Sequence, residues 1–392
     1  GPQQMEPTAV SQLTEKAVRV AVGLTLAIVL VPKGIEYAAA GATIGTSIGP
    51  VAGVVILAVI YCRRRNKLHQ EITDSGRAEK ESAGKIIGTL AAIAVPITIG
   101  VSILPIMNIV DVMIVMRRLQ DVGFSQDNAN ALYGQLTGMA GPVINIPMAL
   151  ALSVALSMVP AVAAANSTKD IDFLNMNIRL GLRTSMIIGV PCTFGLMTLA
   201  EPIMLLLYPM QADSASSAAP CLFILAVGVV FLTIAQTMAG ILQGLGRPYV
   251  TVAALGAGVV VKGIVTYILT AIPELNVQGA AIGSSVAYGV IGLYNFIAVK
   301  KYTGTKFDIK LSVLKPLVSG IVMSVVVLAI YYPCRNIIGN SLSTVLAISA
   351  GAAVYGIMLL KTRAIEAHEI KLLPKGKKLA GLLVKLRLIE RV

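Results

Sequence analysis

The chain of 392 residues has no tryptophan, two histidines, four cysteines and 13% charged residues. Each scarcity excludes something. Soluble domains carry about 25% charged residues, so a chain with half that share is not an ordinary water-soluble fold. The histidines, His69 and His368, and the cysteines, none of them in a CxxC pair, do not supply the ligand spacing of an ordinary zinc site. Among Cys62, Cys192, Cys221 and Cys334, one disulfide stays open on topology, Cys221 with Cys334, since both fall toward the same outer face. A Ser/His/Asp set, a Walker loop and a metal cluster are all missing, so the chain does not read as an enzyme and implies no cofactor.

What the chain has instead is apolar length. Hydrophobic residues make up 56% of it, and its mean hydropathy is +0.81. Ten spans stand out, at 13–31, 36–62, 86–116, 131–163, 177–207, 217–243, 249–272, 279–299, 312–332 and 341–361. Roughly 20 apolar residues cross a bilayer as a helix. Only helices and closed barrels satisfy the backbone in lipid, and continuous runs without period-2 alternation select helices. The expected fold class is therefore an all-α polytopic membrane protein. Pro96, Pro105, Pro142, Pro147, Pro191 and Pro202 fall inside spans, where neighbouring groups or a cavity must satisfy the freed carbonyls.

The net charge of +13 is carried by loops rather than by one folded face, which argues against a nucleic-acid partner. On alternating sides of ten spans, 27 Lys and Arg fall on one side and four (Lys33, Arg117, Arg118 and Arg335) on the other. The positive-inside rule makes the first side cytoplasmic. Both ends then face the cytoplasm, as an even number of spans requires. In the tail, Leu379, Leu382, Leu383, Leu386 and Ile389 recur at helical spacing among Lys375, Lys377, Lys378, Lys385, Arg387 and Arg391. Residues 362–392 thus read as a basic amphipathic segment lying on anionic inner-leaflet lipids.

A small-residue pattern occurs twice. Gly41-Ala-Thr-Ile-Gly45-Thr-Ser47 matches Gly279-Ala-Ala-Ile-Gly283-Ser-Ser285 at an offset of 238. Both copies fall on spans running in the same direction, the sign of a parallel repeat. Each follows a Gly/Gln-rich turn, a proline (Pro7 or Pro248) and a span bearing a cation (Arg19 or Lys262). Four spans precede the second turn and none the first, so the repeat predicts about four further spans before residue 1, with fourteen in the parent. The glycines read as helix-packing faces, not as a phosphate loop, since no strand precedes them.

The segments "GPQQMEPTAVSQLTEKAVRV", "NIVDVMIVMRRLQDVGF", "NALYGQLTGMAGPVINIPMALALSVALSMVPAV", "LAEPIMLLLYP", "ILQGLGRP" and "NVQGAAIGSSVAYG" resemble the polysaccharide biosynthesis family that includes the stage V sporulation protein B. That family is related to the MurJ-type lipid II flippases and the MATE exporters of the MOP superfamily. The resemblance implies two six-helix lobes around a central cavity and alternating-access movement of undecaprenyl-diphosphate-linked saccharides across the bacterial cytoplasmic membrane. The saccharide would be a peptidoglycan, spore-cortex or other cell-envelope precursor. The implied organisation is the end of an N-terminal lobe at 1–62, a cytoplasmic inter-lobe loop at 63–85, a C-terminal six-helix lobe at 86–299, a final helix pair at 300–361 and the tail at 362–392. Proton or cation coupling is left open.

Such a substrate calls for a mid-membrane cation and for amides or hydroxyls to meet the sugar. Lys262, about fourteen residues into its span, is the sharpest candidate, because a charge near mid-bilayer costs at least ~2.5 kcal/mol and is functional by default. The plainer alternatives are a buried pair with a carboxylate on a neighbouring span, or snorkelling, though the sequence suggests no carboxylate at equal depth. Arg19 is its first-lobe counterpart, expected nearer the cytoplasmic end, with Glu15 at i,i+4 as a pairing partner. Asn108, Asp111, Arg117 and Arg118 suggest an outer ion cluster, part of the cavity or a solvated interfacial helix end, and Gln135, Asn145, Gln236 and Gln243 are candidate cavity amides. For each amide an interhelical hydrogen bond is the plainer use, and Arg179 and Arg183 read as cytoplasmic anchors. Two other functions compete with the flippase. A cation-coupled multidrug exporter would use Asp111, and a non-transporting envelope-assembly partner would not need Lys262 or Arg19 at all.

Overall fold

A computed structural model of the chain describes residues 6–74 and 108–362, together with positions 82, 84, 88 and 364. Among the described residues every regular element is a helix. Seven helical segments among the described residues are long and apolar enough to cross a membrane. Expected spans 36–62, 131–163, 217–243 and 279–299 each fall within one of these segments, and 249–272 overlaps another. The seventh segment, Lys310–Lys361, contains both 312–332 and 341–361. Span 86–116 lies mostly outside the described residues, as does the amphipathic segment expected in the tail. The chain divides into two compact units, Gly1–Ile93 and Ala94–Val392.

The first unit contains a helical hairpin. Helix α1 (Glu6–Leu30) corresponds to the first expected span, and Glu15, Lys16 and Arg19 make its early half too charged to count among the seven. A short 3-10 turn, Val31–Lys33, and Gly34 at φ 130° reverse the chain into α2 (Ile35–Asp74). Few side chains other than glycine tolerate that φ. The repeated glycines of α2 face α1: a Cβ at Gly45 would lie 2.5 Å from the Gly23 Cα and 2.8 Å from the Arg19 carbonyl oxygen. Ser11 closes the hairpin by donating to the Gly53 carbonyl at 3.0 Å.

Among its described residues the second unit contains α3 (described over 108–121), α4 (Gln126–Gly134), a π segment Gln135–Ala140, α5 (Gly141–Ser167), α6 (Ile171–Thr198), α7 (Ala200–Leu207), α8 (Ala212–Gly244), α9 (Pro248–Leu269), α10 (Gln278–Thr303) and α11 (Lys315–Lys361). Local chemistry sets several ends. Ser125 accepts from the Asn128 amide at the start of α4, and Asp170 from the Phe173 amide at the start of α6. Such caps stabilise by about 1 kcal/mol each. Gly304 in the left-handed region ends α10. The expected single span 177–207 is two helices, broken at Leu199 just ahead of Pro202. A proline in the first turn of a helix lacks only an N–H that would be unpaired anyway.

Helix α8 is the hub, packed against α5, α6 and α10, and Leu222, Val229, Met238, Ile241 and Leu242 on it are fully buried. Lipid gives helices no hydrophobic reason to associate, so close backbone approach and van der Waals contact must do it. Accordingly a Cβ on Gly240 would lie 2.3 Å from the Ala155 carbonyl oxygen, and one on Gly292 3.0 Å from that of Phe231. The opposite faces are apolar and exposed: Val260, Ile264, Tyr267 and Ile268 on α9 are each more than half accessible, as a lipid-facing surface requires. Helix α11 breaks at Gly339 (φ 80°, ψ 174°) and returns, so that Gly351 lies against Val327 and Met323. This break separates the two expected terminal spans. All four cysteines are free thiols, Cys221 buried and Cys334 half-buried, so the Cys221–Cys334 disulfide left open by topology is not formed.

Candidate functional site

The two glycine hairpins share one internal geometry. A Cβ on Gly279 would touch Leu269 and Thr270, and one on Gly283 would touch Thr266 and the Lys262 carbonyl oxygen (3.2 Å). In the first unit Gly41 meets Leu26, and Gly45 meets Gly23 and the Arg19 carbonyl. The glycines are related by 238 residues, whereas Leu26 and Leu269, Gly23 and Thr266, and Arg19 and Lys262 are each related by 243. The stretch between matched contacts is therefore five residues longer in the first hairpin, and Arg19 and Lys262 occupy the same level of their hairpins.

The surroundings of the two cations differ. Arg19 is exposed and has no ion-pair partner among the described residues. Glu15 pairs with Lys16 at 3.3 Å rather than with Arg19. Lys262, by contrast, is buried and its Nζ is paired with Asp111 Oδ2 of α3. The sequence suggested no carboxylate at the depth of Lys262 and left Asp111 open between an outer cluster and the cavity. Instead, helix α3 brings Asp111 level with the lysine. Depth counted along separate spans fails here because it does not show how two helices align side by side. Removing one partner of such a buried pair strands the other charge, at a cost of about 3–5 kcal/mol.

The pair faces a cavity of about 500 Å³. Asn108, Asp111 and Val115 of α3 line one side and Lys262 of α9 another. Tyr133 and Thr137 come from the α4 and π segments, Pro142, Asn145 and Met148 from α5, and Ala280, Ser284 and Tyr288 from α10. Of the residues expected in a cavity, Lys262, Asp111, Asn108 and Asn145 are thus brought together. Gln135 is not in the lining and instead accepts from the Ser217 hydroxyl at 3.0 Å. Gln236 and Gln243 of α8 also stand outside it, Gln243 on the surface. Arg118 is not in the lining either; it stacks 4.2 Å over the Tyr267 ring, donates to the Tyr267 carbonyl at 3.3 Å and pairs with Asp121 at 3.0 Å. This second polar link joins α3 to α9 outside the cavity.

Tyr133, Thr137, Ser284 and Tyr288 are lining residues that the sequence reading missed. Ser284 and Tyr288 lie one and five residues beyond Gly283. The repeat singled out their helix, but not the face that carries them. Arg183, expected to be a surface anchor, is buried, and its Nε donates to the Ala364 carbonyl at 2.5 Å, tying α6 to the chain beyond α11. A second opening of about 380 Å³, lined by Glu201, Tyr331, Tyr332 and Arg335, lies between α6, α7, α8 and α11. Asn340 braces it, accepting from the Tyr331 hydroxyl at 2.8 Å and donating to the Pro202 carbonyl at 3.2 Å.

An ammonium and a carboxylate that open on amides, hydroxyls and phenols make a polar compartment inside an apolar bundle. A model of the lipid II flippase MurJ family matches residues 10–366. The chain belongs to that family. Two relatives from Bacillus subtilis (strain 168) are each 25% identical: an uncharacterized membrane protein, YabM, over 389 residues, and stage V sporulation protein B over 380. The alignments cover 97% and 95% of this chain and 70% of each relative. The fold matches that of a lipid II flippase MurJ in an inward closed conformation, with a TM-score of 0.63, 18% identity and coverage of 89% of this chain. The chain spans 66% of the length of that structure. The motif resemblance to MOP-superfamily flippases is thereby shown, and the chain is a multi-pass membrane protein of a MurJ-like flippase family.

Proposed function

We propose that the protein moves undecaprenyl-diphosphate-linked saccharides, precursors of peptidoglycan, spore cortex or another envelope polymer, across the bacterial cytoplasmic membrane by alternating access. Both ends of this chain face the cytoplasm in this reading, as the charge bias favours. The carrying observation is Lys262, a buried cation on the wall of a 500 Å³ cavity otherwise rich in neutral donors. A diphosphate needs one or more cations held away from bulk water, where charge-assisted hydrogen bonds are strong. A sugar needs hydroxyl and amide partners such as Asn108, Asn145, Thr137 and Ser284. The pair with Asp111 argues against the multidrug-exporter reading, since the carboxylate such an exporter would use is engaged by a lysine.

The test is transbilayer movement. Purified protein in proteoliposomes carrying a fluorescent undecaprenyl-diphosphate saccharide is expected to expose the label to an impermeant quencher faster than protein-free vesicles do. Efflux of ethidium without movement of the lipid-linked sugar would establish the exporter instead. Movement of neither would favour the assembly-partner reading.

A further inference from the structure

We infer that Asp111 is a specificity-determining residue: its carboxylate competes with the ligand for Lys262, so that a diphosphate is admitted and a monophosphate is not. The inference rests on the cavity being the site of a lipid-linked diphosphate.

Three observations carry it. First, among the described residues lining the cavity, Lys262 and Asp111 are the charged ones, and they are paired. The free cavity therefore offers an incoming anion no net positive charge. Second, both side chains keep some access, Lys262 at 11% and Asp111 at 14%, so the pair is reachable from the cavity rather than sealed behind it. Third, the pair is not needed to join its two helices. Arg118 stacks on Tyr267 and donates to its carbonyl, and Ile114 lies 4.0 Å from the Cβ position of Gly263. Lys262 can be released while α3 stays docked on α9.

Competition then follows from elementary electrostatics. A tethered carboxylate acts at a high effective concentration, so an anion that meets Lys262 through a single phosphoryl group has little prospect of displacing it. A diphosphate adds about one further negative charge and a second phosphoryl group, which strengthens the Coulomb attraction and reaches beyond the ammonium. Its remaining oxygens can accept from the neutral donors around the cavity, which Asp111 in its paired position does not engage. Discrimination of this kind comes from an element that rejects the wrong ligand, not from one that tightens the right one.

The experiment measures binding of polyprenyl diphosphate and polyprenyl monophosphate, of equal chain length, to the purified protein in nanodiscs of neutral lipid. The wild type is expected to prefer the diphosphate at least tenfold. Asp111→Asn is expected to bind both more tightly and to lose most of that preference, and Asp111→Glu to keep it. A role of Asp111 in stability alone would not move the ratio. Equal wild-type affinities for the two lipids would overturn the inference whether or not Asp111→Asn folds, and so would an unchanged ratio in that variant. Wild-type protein that binds neither lipid would overturn the diphosphate reading of the cavity itself.

Discussion

The α1–α2 and α9–α10 hairpins use one backbone solution in two electrostatic settings. In both, a glycine pair on the second helix accepts the first helix at near-contact distance, and a cation's carbonyl lies against the second glycine of the pair. Among the described residues, a carboxylate from another helix meets the cation at Lys262, and a cavity opens beside that pair. The glycines therefore explain the packing, and what distinguishes the second hairpin is the side-chain environment of its cation. A repeat conserves backbone geometry more readily than chemistry, because close packing constrains every neighbouring atom while a charge needs only a partner.

The largest effect is expected from Lys262→Ala, which strands Asp111 and should lower stability by about 3–5 kcal/mol as well as abolish transport. Adding Asp111→Asn should return most of the thermal stability in detergent but none of the transport, separating the two roles of the lysine. Gly45→Ala comes next. Its Cβ meets backbone, the Gly23 Cα and N at 2.5 Å, so overpacking should cost about 1–3 kcal/mol without relief from any side-chain deletion. Gly283→Ala differs, because its nearest obstacle is the Thr266 hydroxyl at 2.3 Å. Thr266→Ala should rescue it in a melting experiment, and failure to rescue would break the comparison between the hairpins. Arg118→Ala removes an exposed-edge stack on Tyr267 and should cost about 0.5–1 kcal/mol. The smallest change in stability is expected for Arg19→Ala, within about 0.5 kcal/mol, since that side chain is exposed and has no described ion-pair partner.

Much of this architecture was legible in the sequence because lipid enforces it. A continuous apolar run has few alternatives to a spanning helix, and the paired "GATIGTS" and "GAAIGSS" patterns marked equivalent helices before any coordinates did. The break at Leu199 was less legible, since Pro202 reads equally well as a tolerated interior proline. Lys262 could be singled out because a mid-membrane charge is costly. Its partner could not be, since ion pairing depends on how α3 and α9 align, and that alignment leaves no periodic trace. The same holds for Gln135 and Arg118: composition marked them as polar residues in an apolar setting, but only tertiary contacts show that they bond to Ser217 and Tyr267 outside the cavity. Tyr133 and Tyr288 escaped notice because an aromatic in a membrane helix is ordinarily unremarkable.

The central claim is that the cavity beside Lys262 holds the ligand, and photocrosslinking tests it most directly. A photoreactive amino acid replacing Asn145, on the cavity wall, should capture a radiolabelled lipid-linked saccharide, and capture should vanish when Lys262→Met and Asp111→Asn are added. The same group at Phe223, in the Glu201–Arg335 opening, should capture far less. Capture at Phe223 that equals or exceeds that at Asn145, or capture at Asn145 indifferent to Lys262, would contradict the account.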